Sequence, residues 1–228
     1  TLASYEELKK VEPVNVAEAM SGENGAERVK NYSIPMMDGL TYNYAAKAVD
    51  DKVIAALAKL AGEAQLIEKY ESLYNGAVIN TGENRLVLHQ LTRGQLGDDV
   101  VAEGVNKREF YVAQQQKIAD FANKVHAGEI TNAAGEKFTT VVQIGIGGSD
   151  LGPRAMYLAL ENWAKVNNKF KMEAKFISNV DPDDAAAVLN SIDVAHSIFI
   201  LVSKSGTTLE TLTNESFVKD ALAKAGLD

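Results

Sequence analysis

Cysteine is absent from the 228 residues, which excludes disulfides, thiolate nucleophiles and Cys-ligated metals and is compatible with a reducing cytoplasm. The three histidines, His89, His126 and His196, are too scattered to suggest a metal cluster. Positive charge is in deficit: 23 Lys and Arg face 31 Asp and Glu, for a net charge of -8 and a pI near 5.0. Backbone-phosphate affinity comes from clustered basic residues, so a nucleic-acid groove is disfavoured and no basic DNA-binding segment is present. No uncharged apolar run approaches the ~20 residues needed to cross a bilayer. The opening Thr1-Leu2-Ala3-Ser4-Tyr5-Glu6 lacks a basic stretch followed by an apolar one, so the chain reads as soluble, unexported and cytoplasmic. Low-complexity tracts are missing too, and 46% hydrophobic against 24% charged residues is ordinary for a folded protein. A chain of this length should bury on the order of 70% of its unfolded surface. It begins without methionine and stops at Leu227-Asp228 directly after a helical pattern, which suggests a fragment.

Residues 1–135 read as a mainly helical region and 136–228 as an α/β domain. Val49, Val53, Ala56, Leu57 and Leu60 recur at helical spacing, predicting a helix from about Ala45 to the stop at Asn75-Gly76, with Gly62 a possible interruption. A second helix starts at Asn106, with Glu109 as its capping pair, buries Ile118, Phe121, Ala122 and Val125, and ends at Gly128. Beyond a turn at Asn132–Gly135, three runs read as strands: Phe138–Ile146, one ending at Phe176-Ile177-Ser178, and Ser197–Val202. Their near-continuous apolar character predicts burial on both faces. Helical patterns separate and follow them, marked by Met156, Ala159, Leu160 and Trp163, by Asp184 to Leu189, and by Val218, Ala221, Leu222 and Ala225 before Gly226. The order β-α-β-α-β-α implies a parallel sheet with right-handed crossovers. Three strands leave an exposed edge, so further strands are expected beyond Asp228.

Two turns, each where a strand gives way to a helix, carry the chemistry. In Gly145-Ile146-Gly147-Gly148-Ser149-Asp150-Leu151-Gly152-Pro153 the glycines let a ligand approach the backbone, Ser149 adds a hydroxyl and Pro153 suits a first helical turn. A tight connection without a ligand is the plain alternative. A dinucleotide fingerprint fits poorly, because Asp150 takes the third glycine's place with its carboxylate toward a pyrophosphate, and Asp181 lies too far along. In Ser203-Lys204-Ser205-Gly206-Thr207-Thr208-Leu209-Glu210-Thr211 four hydroxyls, a lysine and a flexible glycine crowd a helix start. Hydroxyls, N–H groups and the helix dipole together suit a phosphate monoester. Thr207 and Glu210 also satisfy a capping box, which would occupy one or two hydroxyls. Both turns follow strands of one parallel sheet and open on one edge, so they can share a phosphorylated small molecule.

The two turns together resemble the phosphoglucose isomerase family and its sugar-isomerase (SIS) domain, a three-layer Rossmann-like α/β fold. Asn80-Thr81-Gly82-Glu83-Asn84-Arg85-Leu86-Val87-Leu88-His89 resembles the family's helical entry segment, and Phe121–Glu129 the helix before its first strand. The likeness runs from roughly residue 30 to the end and covers the N-terminal half of a member. It implies that Gly148 and Ser149 lie against a sugar, while Ser203, Lys204, Ser205 and Thr208 hold its 6-phosphate. Many members have Thr-Phe where this chain has Ser205-Gly206. The resemblance further implies a homodimeric aldose–ketose isomerase that interconverts glucose 6-phosphate and fructose 6-phosphate through a cis-enediolate, without metal or organic cofactor. Its catalytic glutamate, histidine, lysine and arginine belong to the second half, so no catalytic residue is assigned here. Glu83, Glu210 and Asp150 are given a helix surface, the capping box and a first helical turn. Two other readings stay open: a non-catalytic SIS module that senses a sugar phosphate, and a dinucleotide-binding oxidoreductase.

Overall fold

The computed structural model describes residues 1–93 and 96–227, and the chain divides into two compact units, Thr1–Val112 and Ala113–Asp228. The first carries α1 (Ala3–Leu8), α2 (Val16–Ala19), α3 (Gly22–Asn31), β1 (Ser33–Met37), β2 (Leu40–Asn43), α4 (Asp51–Glu63), α5 (Leu66–Tyr74), β3 (Val101–Ala102), β4 (Val105–Asn106) and the start of α6 (Lys107–Ala127). The long helix expected from Ala45 is two helices. Asp50 caps the first by accepting from Val53 N–H at 2.9 Å, and the chain breaks at Gln65, whose φ is +53°. The expected stop holds, with Gly76 at φ +88°. Two antiparallel hairpins interrupt a region read as helical. The first turns at Asp38-Gly39, with Gly39 at φ +74°, a hairpin signal the helical reading passed over.

Asn80–His89 is not helical. Asn80 and Arg85 form an antiparallel bridge around a turn, Asn84 has φ +51°, and the Asn80 side chain bonds both the backbone and the carboxylate of Glu83. Asn-Thr-Gly-Glu-Asn is turn chemistry, so Glu83 sits in a turn rather than on a helix surface. His89 is exposed and opens a 3₁₀ turn, His89–Thr92. At the start of α6 the capping expectation is met: Asn106 Oδ1 accepts from the N–H groups of Arg108 and Glu109 at 3.0 and 3.3 Å.

The second unit alternates β5 (Thr140–Ile144), α7 (Leu151–Val166), β6 (Glu173–Ile177), α8 (Pro182–Asn190), β7 (Ser197–Leu201) and α9 (Leu209–Lys224). All strand pairs are parallel, in the order β6-β5-β7, with Val142 of β5 level with Lys175 and Phe199. Val142, Ile144 and Ile177 are fully buried on one face against Ala185 of α8 and Val218 of α9. Each such side chain contributes ~1.5–3 kcal/mol of transfer free energy. On α9 the buried stripe runs Thr211, Asn214, Val218, so it reaches further toward the helix start than the apolar pattern indicated; Ala225 is exposed.

The other face departs from the expected burial. There α6, α7 and the outward residues Val141, Ile198 and Ile200 border an open apolar groove of about 500 Å³. Ile118 and Phe121 remain 67% and 49% exposed, and of the four α6 residues expected inside only Val125 is buried. No described helix is long and apolar enough to cross a membrane.

At the amino end of β7, His196 bridges two carboxylates, Asp193 through Nδ1 at 2.8 Å and Glu136 through Nε2 at 2.9 Å. Hydrogen bonds donated to Asp193, the larger effect, and to Glu136 hold the imidazole above its usual pKa despite some desolvation. A raised folded pKa stabilises the fold fully below the unfolded value of about 6.5, and this is lost as pH rises through the folded value. His196→Gln is therefore expected to lower the melting temperature at pH 6 and to have little effect at pH 9. Equal losses at both pH values would contradict the bridge.

Candidate functional site at the carboxyl edge of the sheet

The strand order decides what the two turns can do. The connection from β5 leaves toward α7 on the grooved face, whereas that from β7 leaves toward α9 on the packed face. Adjacent parallel strands whose loops diverge open a crevice at their carboxyl ends, the usual ligand position in such sheets. Ile144 and Leu201, the last residues of β5 and β7, stand level, and Val202 N–H donates to Ile144 C=O at 2.8 Å. The structure thus puts Gly148 and Ser149 beyond the end of β5 and Ser203, Lys204, Ser205 and Thr208 beyond the end of β7, two lips of the same sheet edge.

The Ser203–Thr208 loop is a cluster of hydroxyls. Ser203 Oγ and Thr208 Oγ1 are 2.9 Å apart, and Ser205 Oγ lies 3.4 Å from Thr208 Oγ1. Gly206 N–H donates to Ser203 Oγ at 3.0 Å, Thr207 N–H and its hydroxyl donate to Ser205 Oγ, and Gly206 turns the chain at φ +74°. Lys204 is exposed. The expected Thr207–Glu210 capping box does not form: the N-cap is Thr208, and its side chain makes no capping bond. The hydroxyls bond one another instead, so the first-turn N–H groups of the 16-residue α9 are not consumed by a cap. Such N–H groups, the dipole and reorientable hydroxyls form an anion-accepting surface.

On the other lip, Gly147–Ser149 is a 3₁₀ turn with Gly147 at φ +56°, and Gly148 is exposed with open space where a Cβ would point. The turn folds back over the end of β5: a Cβ on Gly145 would sit 2.7 Å from Ser149 O and 2.9 Å from Ser149 Cβ. Gly145→Ala must displace the turn, so we expect ~1–3 kcal/mol of destabilisation from overpacking, measured by chemical denaturation. A wild-type midpoint would show that the turn is not seated as described.

Asp150 sits at the start of α7, as expected, but its carboxylate turns inward: the residue is 4% exposed, and the carboxylate pairs with Arg154 at 3.0 Å. Arg154 also donates to Ser178 Oγ at 3.0 Å and lies over the Phe176 ring. Asp150 is an internal counter-ion that ties the start of α7 to the end of β6. Sequence reading missed this network and also Gln143, whose amide reaches Ser149 C=O. A lone glutamine inside an apolar strand was the available signal. Among the described residues no group of three or more His, Asp or Glu side chains is placed to hold a metal.

Comparison with known proteins identifies the family. Residues 43–228 match the family model described as phosphoglucose isomerase. The glucose-6-phosphate isomerase of Treponema denticola is 60% identical over 99% of this chain, and that of Treponema pallidum (strain Nichols) is 49% identical over 99%. The chain spans only 43% of the length of each. A crystal structure of a glucose-6-phosphate isomerase from Chlamydia trachomatis superposes with a TM-score of 0.72 at 35% identity, covering all of this chain and 42% of that one. A family match over residues 43–228, on a chain with both glycine and hydroxyl turns at one sheet edge, places this protein in the phosphoglucose isomerase family.

Proposed function

We propose that this chain is the N-terminal, substrate-holding portion of a cytoplasmic glucose-6-phosphate isomerase. The Ser203–Thr208 loop and the N-terminus of α9 take the 6-phosphate of glucose 6-phosphate or fructose 6-phosphate, and Gly148 and Ser149 line the sugar. The single observation carrying this reading is the level pairing of Ile144 with Leu201, which starts the two turns from the same edge of the sheet and supports a shared ligand. The uncapped hydroxyl cluster supports an anion there, since a capping role would have used those groups.

Ring opening and proton transfer between C2 and C1 require a positioned acid and base. The three acids near the site or the family-like turn have other work: Asp150 is buried against Arg154, Glu83 bonds Asn80, and Glu210 stands in the first turn of α9. We therefore assign the proton-transfer groups to the portion of the relatives that this chain does not span, which also contributes to the homodimer interface. Calorimetric titration with fructose 6-phosphate and NAD, paired with an isomerase assay, tests this division. Saturable binding of the sugar phosphate alone, without turnover, is expected. Turnover abolished by a substitution within this chain would overturn it.

A further inference from the structure

Gln143 stands where packing alone would not put it. It occupies the grooved face of the central strand, level with Phe176 on one side and Ile200 on the other, and is partly buried there with Val141. A primary amide on an apolar sheet face loses hydration without gaining contacts, so it persists only where a specific partner repays it. Its partner is specific: Nε2 donates to the Ser149 carbonyl at 2.7 Å, across six residues of chain. The same carbonyl is the atom that Gly145 makes room for, 2.7 Å from where a Cβ would lie. Gly145 permits the fold-back and Gln143 pins it. The turn's remaining bonds are short-range, from Ser149 N–H to Ile146 C=O and from Asp150 N–H to Gly147 C=O.

We propose that Gln143 is a positioning residue for the sugar-binding lip: its amide, anchored in the rigid central strand, fixes the Gly147–Ser149 turn so that Gly148 and Ser149 face the crevice. This rests on the sugar-phosphate reading above for its ligand, and on Gln143, Gly145 and Ser149 for its geometry. The pin ends at the Ser149 carbonyl, whereas the hydroxyls of Ser203, Ser205 and Thr208 bond within their own loop. Loss of Gln143 therefore weakens the sugar contribution and spares the phosphate contribution.

Two isosteric replacements separate positioning from stability. Gln143→Met keeps the volume and removes the donor, and its melting temperature should equal or exceed the wild type's, because an apolar side chain suits that face. Gln143→Glu removes the donor at pH 7.5 and restores one as the carboxyl protonates. Both variants should exchange the Ser149 and Asp150 amides with deuterium about three- to tenfold faster than wild type, as loss of one hydrogen bond implies. Gly206 and Thr207 amides should be unchanged. Fructose 6-phosphate affinity should fall about three- to tenfold, inorganic phosphate affinity should hold, and the Gln143→Glu defect should close as pH is lowered through the carboxylate range. Unaltered Ser149 and Asp150 exchange overturns the proposal whatever the ligands do. Faster exchange with no fructose 6-phosphate binding by any form leaves Gln143 as the pin of the turn and overturns the sugar-phosphate reading instead.

Discussion

Replacing Ser205 and Thr208 together by alanine is expected to weaken fructose 6-phosphate binding by about a hundredfold or more, measured by calorimetric titration. In the proposed site each hydroxyl donates to a dianionic phosphate, and a hydrogen bond to a charged group contributes ~1.5–3 kcal/mol. Two of them amount to at least about two decades of affinity. The fold should lose little, because Gly206 N–H keeps Ser203 Oγ as its acceptor and the exposed Thr207, deprived of Ser205 Oγ, can turn its N–H and hydroxyl to water. Affinity within a factor of two of the wild type's would remove the phosphate from this loop.

Arg154→Met is expected to destabilise the unit Ala113–Asp228 by ~3 kcal/mol in chemical denaturation, because it strands the Asp150 carboxylate in a site that is 4% exposed. The double variant Asp150→Asn, Arg154→Met should recover most of that loss, since it removes the uncompensated charge along with its partner. The cycle matters because the pair is i,i+4 on α7 yet also reaches Ser178 at the end of β6. A solvent-exposed helix pair would give only ~0.3–0.5 kcal/mol. A single-variant loss in that smaller range would mean Asp150 is not sealed as described.

The parallel sheet and both turns were legible in the sequence because their signals are local and strong. β-branched runs such as Val141-Val142 and Ser197-Ile198-Phe199-Ile200 admit little but buried strand, and the helical pattern from Asp184 to Leu189 falls within α8. What failed depended on partners distant in the chain or on competition between equal local choices. Glu210 and Thr207 have capping-box spacing, but the N-cap is Thr208, and the Thr207 hydroxyl donates to Ser205 Oγ instead of capping the helix. Sequence reading places Asp150 at the helix start correctly, but its pairing with Arg154, one helical turn on, goes unread because nothing local in the sequence marks which way the carboxylate turns. Ile118 and Phe121 follow helical periodicity toward a face that, among the described residues, the groove leaves uncovered. Periodicity reports which face is apolar, not what covers it.

Amide chemical-shift mapping of the ¹⁵N-labelled chain titrated with fructose 6-phosphate tests the central claim most directly, because it reads both lips of the crevice at once. The account predicts saturable shifts at Gly206 through Glu210 and at Gly147 through Ser149, with inorganic phosphate reproducing only the first set and NAD neither. Shifts confined to the apolar groove around Ile118 and Met156, or evoked at Gly147–Ser149 by NAD alone, would contradict it.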